Sequence, residues 1–411
     1  MKLKLSCLSF ILLLAFSVRA QEISTTLLKK YIGYLADDKM KGRGTSSPEE
    51  KKSAVYIAGI FEKCGLKPAG EQKSMFYEFS FKKNLSPHDT STSNVVERKG
   101  MDVIGFLDNG AEYTIVIGAH YDHLGLGGDH NSLDPNPEGK IHNGADDNAS
   151  GTAGVMELAR YYSSNKIKEK YNFLFMCFSG EELGLLGSKK WCDNPTYPLE
   201  KINYMINMDM IGRLNDSTKK LIIYGVGTAP DFVPLIDNLK SEFSVKKDSA
   251  GIGPSDQTSF YLKDIPVLHF FTGQHSDYHK PSDDANKVNY EGEKKVLEYI
   301  IRLEQETEKL PKLKFTATKS KETTSAKWKV SMGVMPDYTF EGKGMRVDGV
   351  TDGKPASKAG VKKGDVVIKL GNVNVENMDS YMKALSELNK GDKTKVKVMR
   401  NGKEEEFPIE F

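Results

Sequence analysis

Residues 114–117 read Thr-Ile-Val-Ile, a run with no polar face. A strand of that kind cannot lie with one side in water, so it belongs in the middle of a sheet covered on both faces, the habit of parallel α/β sheets. Similar runs recur. The predicted strands are 113–118, 172–178, 202–208, 221–224 and 265–271, and they alternate with predicted helices at 152–162, 231–243 and 291–310. The alternation predicts an α/β fold in which helices cover a mixed, mostly parallel sheet. Two helices precede it. Leu27, Leu28, Tyr31, Ile32 and Leu35 recur at spacings of three and four. Ser46 to Pro48 followed by Glu49 and Glu50 opens a second helix, whose stripe is Ala54, Ile57, Ala58 and Phe61 before Gly65 stops it.

A chain of 411 residues exceeds one ordinary core, and its composition divides it. The stretch 312–327 is rich in Lys, Thr and Ser and reads as a linker. Beyond it, 328–411 alternates at period two around one helix at 378–388, the pattern of a small β-rich domain. At the other end, Lys2 and Lys4 precede an apolar run from Leu8 to Val18 and a small-x-small end at Val18-Arg19-Ala20. Residues 1–20 therefore read as a signal peptide, and the run falls short of the ~20 apolar residues of a spanning helix. The expectation is an exported protein, periplasmic or extracellular, with no membrane span after cleavage and a main domain over 21–311. Fifty-eight Lys and Arg against 56 Asp and Glu give no field that would favour nucleic acid. Past the signal segment only Cys64, Cys177 and Cys192 remain, an odd number that rules out a disulfide framework.

The chemistry lies where the predicted strands end. Strand 113–118 runs into His120 and Asp122, strand 172–178 into Glu181 and Glu182, strand 202–208 into Asp209, and strand 265–271 leads to Tyr278 and His279. Asp146 and Asp147 stand just before the helix at 152. Singly these are turn residues and helix caps. In an open α/β sheet, however, ligands gather beyond the carboxyl ends of the strands, so one crevice collects them all. Two imidazoles and three carboxylates suffice for two adjacent zinc ions that share one oxygen donor, with Glu181 left over to take a proton from water.

The same segments resemble the M28 family of zinc aminopeptidases: Gly118-Ala-His-Tyr-Asp122, Gly144-Ala-Asp-Asp-Asn-Ala-Ser-Gly151, Ser179-Gly-Glu-Glu-Leu-Gly-Leu-Leu-Gly187, Asn207-Met-Asp-Met-Ile-Gly212 and Asp277-Tyr-His279. The resemblance covers about residues 24 to 310 and implies a zinc-exopeptidase-like fold with two zinc ions per chain. It implies His120 and Asp209 on one zinc, Glu182 and His279 on the other, and Asp147 rather than Asp146 as the bridge, with the Asp147–Asn148 peptide bond cis. Asp122 resembles the carboxylate that orients His120, Glu181 the general base, and Tyr278 the phenol that donates to the oxyanion. Peptides with a free N-terminus are the implied substrates. Many relatives insert a protease-associated domain before the first metal motif, for which 94–113 is too short. The loop 123–142, rich in Gly, Asp and Asn, lies beside the site, with His130 and His142 expected to be exposed loop residues. The C-terminal domain resembles a PDZ domain through Ser331-Met-Gly-Val-Met335 and the stretch from Val350 to Ile368, which implies capture of a peptide or protein C-terminus. A glutaminyl cyclase or a carboxypeptidase on the same scaffold is an alternative, the latter with only Arg213 to receive a carboxylate. A non-catalytic peptide binder is another, though none of the ligands or the base has been lost.

Overall fold

The computed structural model describes residues 22–84, 95–129, 131–318, 330–336, 340, 342–350 and 353–411. The signal segment, His130 and most of the expected linker therefore lie outside the described residues.

Helices α1 (Thr25–Leu35) and α2 (Pro48–Lys63) open the fold. Ser24 caps α1 by accepting from the Leu27 N–H, and Ser47 caps α2 by accepting from the Glu50 N–H. Strands β1 (Lys67–Pro68), β2 (Phe76–Asn84), β3 (Val95–Leu107), β4 (Thr114–His120) and β5 (Asn172–Phe178) follow, with α3 (Gly151–Ser164) between the last two. Next come α4 (Leu186–Asp193), β6 (Ile202–Met208), β7 (Lys220–Tyr224), α5 (Phe232–Asn238), β8 (Ser244–Lys247), α6 (Gln257–Tyr261), β9 (Val267–Phe271) and α7 (Tyr290–Thr307).

The nine strands form one sheet in the order β1-β3-β5-β4-β6-β9-β7-β8, with β2 paired to β3. β5, β4, β6 and β9 run parallel, flanked by antiparallel β3 and β7. Every residue of β4, β5 and β6 is buried, as their doubly apolar runs require. Gly118 is needed where β4 is most crowded: a Cβ there would meet Phe178 Cε2 at 2.7 Å and Met205 Cε at 2.9 Å. Because β4 has β5 on one side and β6 on the other, the chain leaves the sheet in opposite directions around it, and the crevice falls at this switch point.

Several elements depart from expectation. The hairpin β2–β3 was not foreseen, because Glu97, Arg98 and Lys99 give β3 the polarity of a loop. Helix α5 stops at Asn238 rather than 243, since Leu239 turns to extended backbone and the chain enters β8.

The second sheet, β10 (Val334–Pro336), β11 (Met345–Val350), β12 (Val366–Leu370), β13 (Val373–Asn374), β14 (Lys393–Arg400) and β15 (Lys403–Glu410), has helices α8 (Pro355–Ala359) and α9 (Met378–Ser386). It packs around its own core, which includes Val347, Val367, Tyr381, Leu385, Val396 and Val398. Residues 313–318 lie against the larger body: Leu313 is buried there, Thr316 N–H donates to the Thr228 carbonyl, and Thr318 N–H donates to the Tyr261 hydroxyl.

Candidate metal centre

His120 is the last residue of β4 and Asp209 the first after β6, so two adjacent parallel strands aim a nitrogen and an oxygen into the same crevice. Asp147 enters from the turn 145–150, and the Asp147–Asn148 bond is cis. The turn is held from both sides. Asp283 Oδ2 accepts from the Asp146 and Asp147 N–H groups, both at 3.0 Å, while Asn148 donates to the Met208 carbonyl and accepts from Gly151 N–H. Gly144 is obligatory here: its φ is +56°, and a Cβ would meet the Asp147 carbonyl oxygen at 2.1 Å and the His123 ring at 2.4 Å.

The two oxygens of Asp147 face different imidazoles. His120 Nε2 is 3.4 Å from Oδ1, and His279 Nε2 is 3.2 Å from Oδ2. His120 Nε2 is also 3.5 Å from Asp209 Oδ1, and His279 Nε2 is 3.1 Å from Glu182 Oε2. Donors about 2.0–2.1 Å from a common tetrahedral ion stand ~3.3 Å apart, so these spacings suit metal ligation. Two groups that share Asp147 could each hold an ion: His120, Asp147 and Asp209 in one, and His123, Asp147 and Glu182 in the other.

His123 is the residue that sequence reasoning missed. It is buried, and its Nδ1 lies 2.8 Å from Glu182 Oε1 and 3.8 Å from Asp147 Oδ2. The signal was present in the run His120-Tyr-Asp-His123, where a second imidazole follows the first by three residues. Asp283 was missed as well, because a carboxylate that serves backbone N–H groups leaves no pattern of its own.

Asp122 is fully buried and does more than face His120. Its Oδ2 accepts from the Thr45 hydroxyl at 2.8 Å and its Oδ1 accepts from Glu181 N–H at 3.1 Å. His120 Nδ1 lies 3.2 Å from the Asp122 carbonyl oxygen and 3.6 Å from Oδ1. The same residue thus places the ring and the neighbouring Glu181. Burial, and then the adjacent Glu182, push the Glu181 carboxyl well above the usual carboxylate range. Burial also acts on Glu182, but His279 and His123 outweigh it and bring that carboxyl to about 2. Tyr278 stacks on His279 at 3.9 Å between ring centres, and both line the cavity with His120, Asp147, Glu182 and Asp209.

The loop after His123 supports the site. Its Asn131 carbonyl lies 2.8 Å from His279 Nδ1, fixing which nitrogen faces the cluster. His142 is buried rather than exposed, with Nε2 at 2.7 Å from the Ser132 hydroxyl and Nδ1 at 3.0 Å from the Lys140 carbonyl. Polar composition suggested exposure, but the loop folds back onto the segment 42–44. Asp146 accepts from Gly212 N–H at 2.7 Å and from the Ser150 hydroxyl, and lies 3.1 Å from His275 Nε2. Arg213 donates to Asp277 and lies 3.9 Å from Asp283, so its charge is engaged in holding the loop around His279.

Residues 102–303 match the sequence model of peptidase family M28, and residues 314–411 that of the PDZ domain. Leucine aminopeptidase 2 of Arthroderma otae is 29% identical over 188 residues, 42% of this chain and 36% of the relative. The chain thus spans about a third of that relative's length. A Zn-dependent exopeptidase from Parabacteroides distasonis superposes with a TM-score of 0.55 at 16% identity, covering 69% of this chain and 99% of that one. The Bacteroides thetaiotaomicron glutaminyl cyclase gives 0.53 at 18% identity, over 69% and 98%. These likenesses establish a shared fold.

Proposed function

The chain joins a peptidase family M28 domain to a PDZ domain, and from that premise we propose that it is an exported metallo-aminopeptidase that removes N-terminal residues from peptides at a two-zinc centre. The supporting observation is the placement of Asp147, whose two oxygens face two different imidazoles, His120 and His279, an arrangement that suits a carboxylate shared by a pair of ions. His120 and Asp209 would hold one ion, and Glu182 and His279 the other. Zinc bound here supplies a water whose pKa falls to about 7 and a charge that polarises the scissile carbonyl. Glu181 takes the proton from a water in the cleft and passes it to the leaving amine. The Tyr278 hydroxyl donates to the oxygen that becomes negative as the carbonyl turns tetrahedral. In the PDZ domain, Gly333 with φ +72° turns the chain into edge strand β10, beside which a peptide C-terminus would add as a strand.

Elemental analysis of the zinc-saturated protein, together with Glu181→Gln, tests the reading. Two ions per chain are expected, retained in the variant, with kcat on aminoacyl p-nitroanilides reduced by about 10²–10⁴. A single tight ion together with cyclisation of N-terminal glutamine would replace this reading with a glutaminyl cyclase.

A further inference from the structure

Asp209 leaves the end of β6, and Asn207, two residues earlier, projects from the same face. In the neighbouring parallel strand β9, His269 stands opposite Asn207, and in β7, on its other side, Tyr224 stands opposite His269. His269 therefore lies about 7 Å below the level of Asp209, two residues down the sheet. It lines the same cavity as His120, Asp147 and Asp209. Away from the acidic groups and the imidazoles the cavity is lined by Met210, Tyr224, Pro254, Phe271, Gln274 and Tyr278. The imidazole lies 5.4 Å from the Tyr224 ring and 6.3 Å from that of Phe271, centre to centre.

His269 is 2% exposed, yet neither ring nitrogen has a hydrogen-bond partner. Beside it Asn207 donates to Gln257 and Ser255, which leaves Asn207 Oδ1 and Gln257 Nε2 unpartnered as well. Burial brings the imidazole down to about 4, so at neutral pH it offers one N–H and one lone pair. Buried polar atoms without partners are costly and call for an explanation. A donor and an acceptor at the floor of a cleft whose rim carries the catalytic groups are placed to meet part of the substrate.

We propose that His269 recognises the side chain of the substrate's N-terminal residue, so that uncharged hydrogen-bonding side chains such as Asn and Thr are favoured over aliphatic ones of the same shape. The proposal rests on the aminopeptidase reading and narrows its substrate class. An aliphatic side chain would expel water from the floor and leave both ring nitrogens unpaired, whereas an amide or hydroxyl pairs at least one. A carboxylate would meet no lysine or arginine among the residues that line the cavity, and its burial there would be costly.

The test uses matched pairs of aminoacyl p-nitroanilides, Asn against Leu and Thr against Val, with the zinc-loaded full chain. The wild type is expected to favour the polar member of each pair at least tenfold in kcat/KM. His269→Leu should invert the ratio at unchanged metal content, and His269→Gln, which keeps an amide near the Nε2 position, should retain the polar preference. A wild type that favours Leu and Val, or a ratio that His269→Leu leaves unchanged, overturns the assignment. No turnover of any of the four by a protein holding both ions overturns the aminopeptidase reading, and this one with it.

Discussion

Arg43 is the side chain whose removal should be felt most widely. It is fully buried at the end of the segment 38–43, with φ +48°, and donates to four backbone carbonyls: Leu35, Tyr121, Asn143 and Gly144. Burial lowers its pKa to about 10, against the pull of Asp122 and Asp147, so it stays charged at neutral pH. One guanidinium thus ties the N-terminal helices to the residue after His120 and to the two residues at the entry to the Asp147 turn. A hydrogen bond to a charged group contributes about 1.5–3 kcal/mol. Gly144 O keeps a second partner in Ala149 N–H, and removing a buried charge returns part of its desolvation cost. The net loss for Arg43→Ala is therefore about 4 kcal/mol. Arg43→Lys keeps the charge but has a flexible ammonium in place of the planar fork, and should lose about half as much. Urea unfolding at fixed free zinc measures both, and a zinc competition titration should show weaker metal binding in the alanine variant because the approach to Asp147 is loosened. Arg43→Ala unfolding within about 1 kcal/mol of wild type would refute the reasoning, since the Leu35, Tyr121 and Asn143 carbonyls cannot be re-paired in a dry interior at so small a cost.

The supporting residues give further expectations. Asp147→Asn should weaken both ions, whereas Asp146→Asn should leave metal content near normal and lower stability by about 2 kcal/mol, through the contacts to Gly212 and Ser150; metal analysis and urea midpoints separate the two. His123→Ala should weaken one of the two ions 10–100-fold in a competition titration, and His123→Asn, whose amide nitrogen takes the place of Nδ1 beside Glu182, should restore most of that affinity. Burial, and then Asp122, hold the Glu50 carboxyl at about 8 against an ordinary 4.5, so the folded state binds more protons between those values. Stability should therefore fall as pH rises from about 4.5 to 8, and Glu50→Gln should flatten that slope in midpoints measured across the window.

What was legible in the sequence follows from burial. Strands 172–178 and 202–208 were readable to the residue because both of their faces are apolar and turns flank them. In the outer hairpin β2–β3 the run Glu97-Arg98-Lys99 has neither two apolar faces nor a clean alternation, and the strand was hidden. The gathering of His120, Glu182 and Asp209 at strand ends was legible because chemistry and topology coincide there. His123 and Asp283 were not, since each acts on a residue far away in sequence, Glu182 and Asp147 respectively. The burial of His142 depends on Gly42, where a Cβ would meet the His142 carbonyl oxygen at 2.3 Å, a contact across a hundred residues that no local pattern announces.

The proposed ligands come from five separate stretches of chain, between residues 120 and 279. No fragment that ends before residue 279 holds the full set, so ion occupancy and completion of the fold become a single equilibrium. For a site well above half-saturation, each tenfold rise in free metal adds about 1.4 kcal/mol to the folded state. The lifetime of this protein among proteases would then depend on the metal content of its surroundings, and scarcity would remove the protein as well as empty its site.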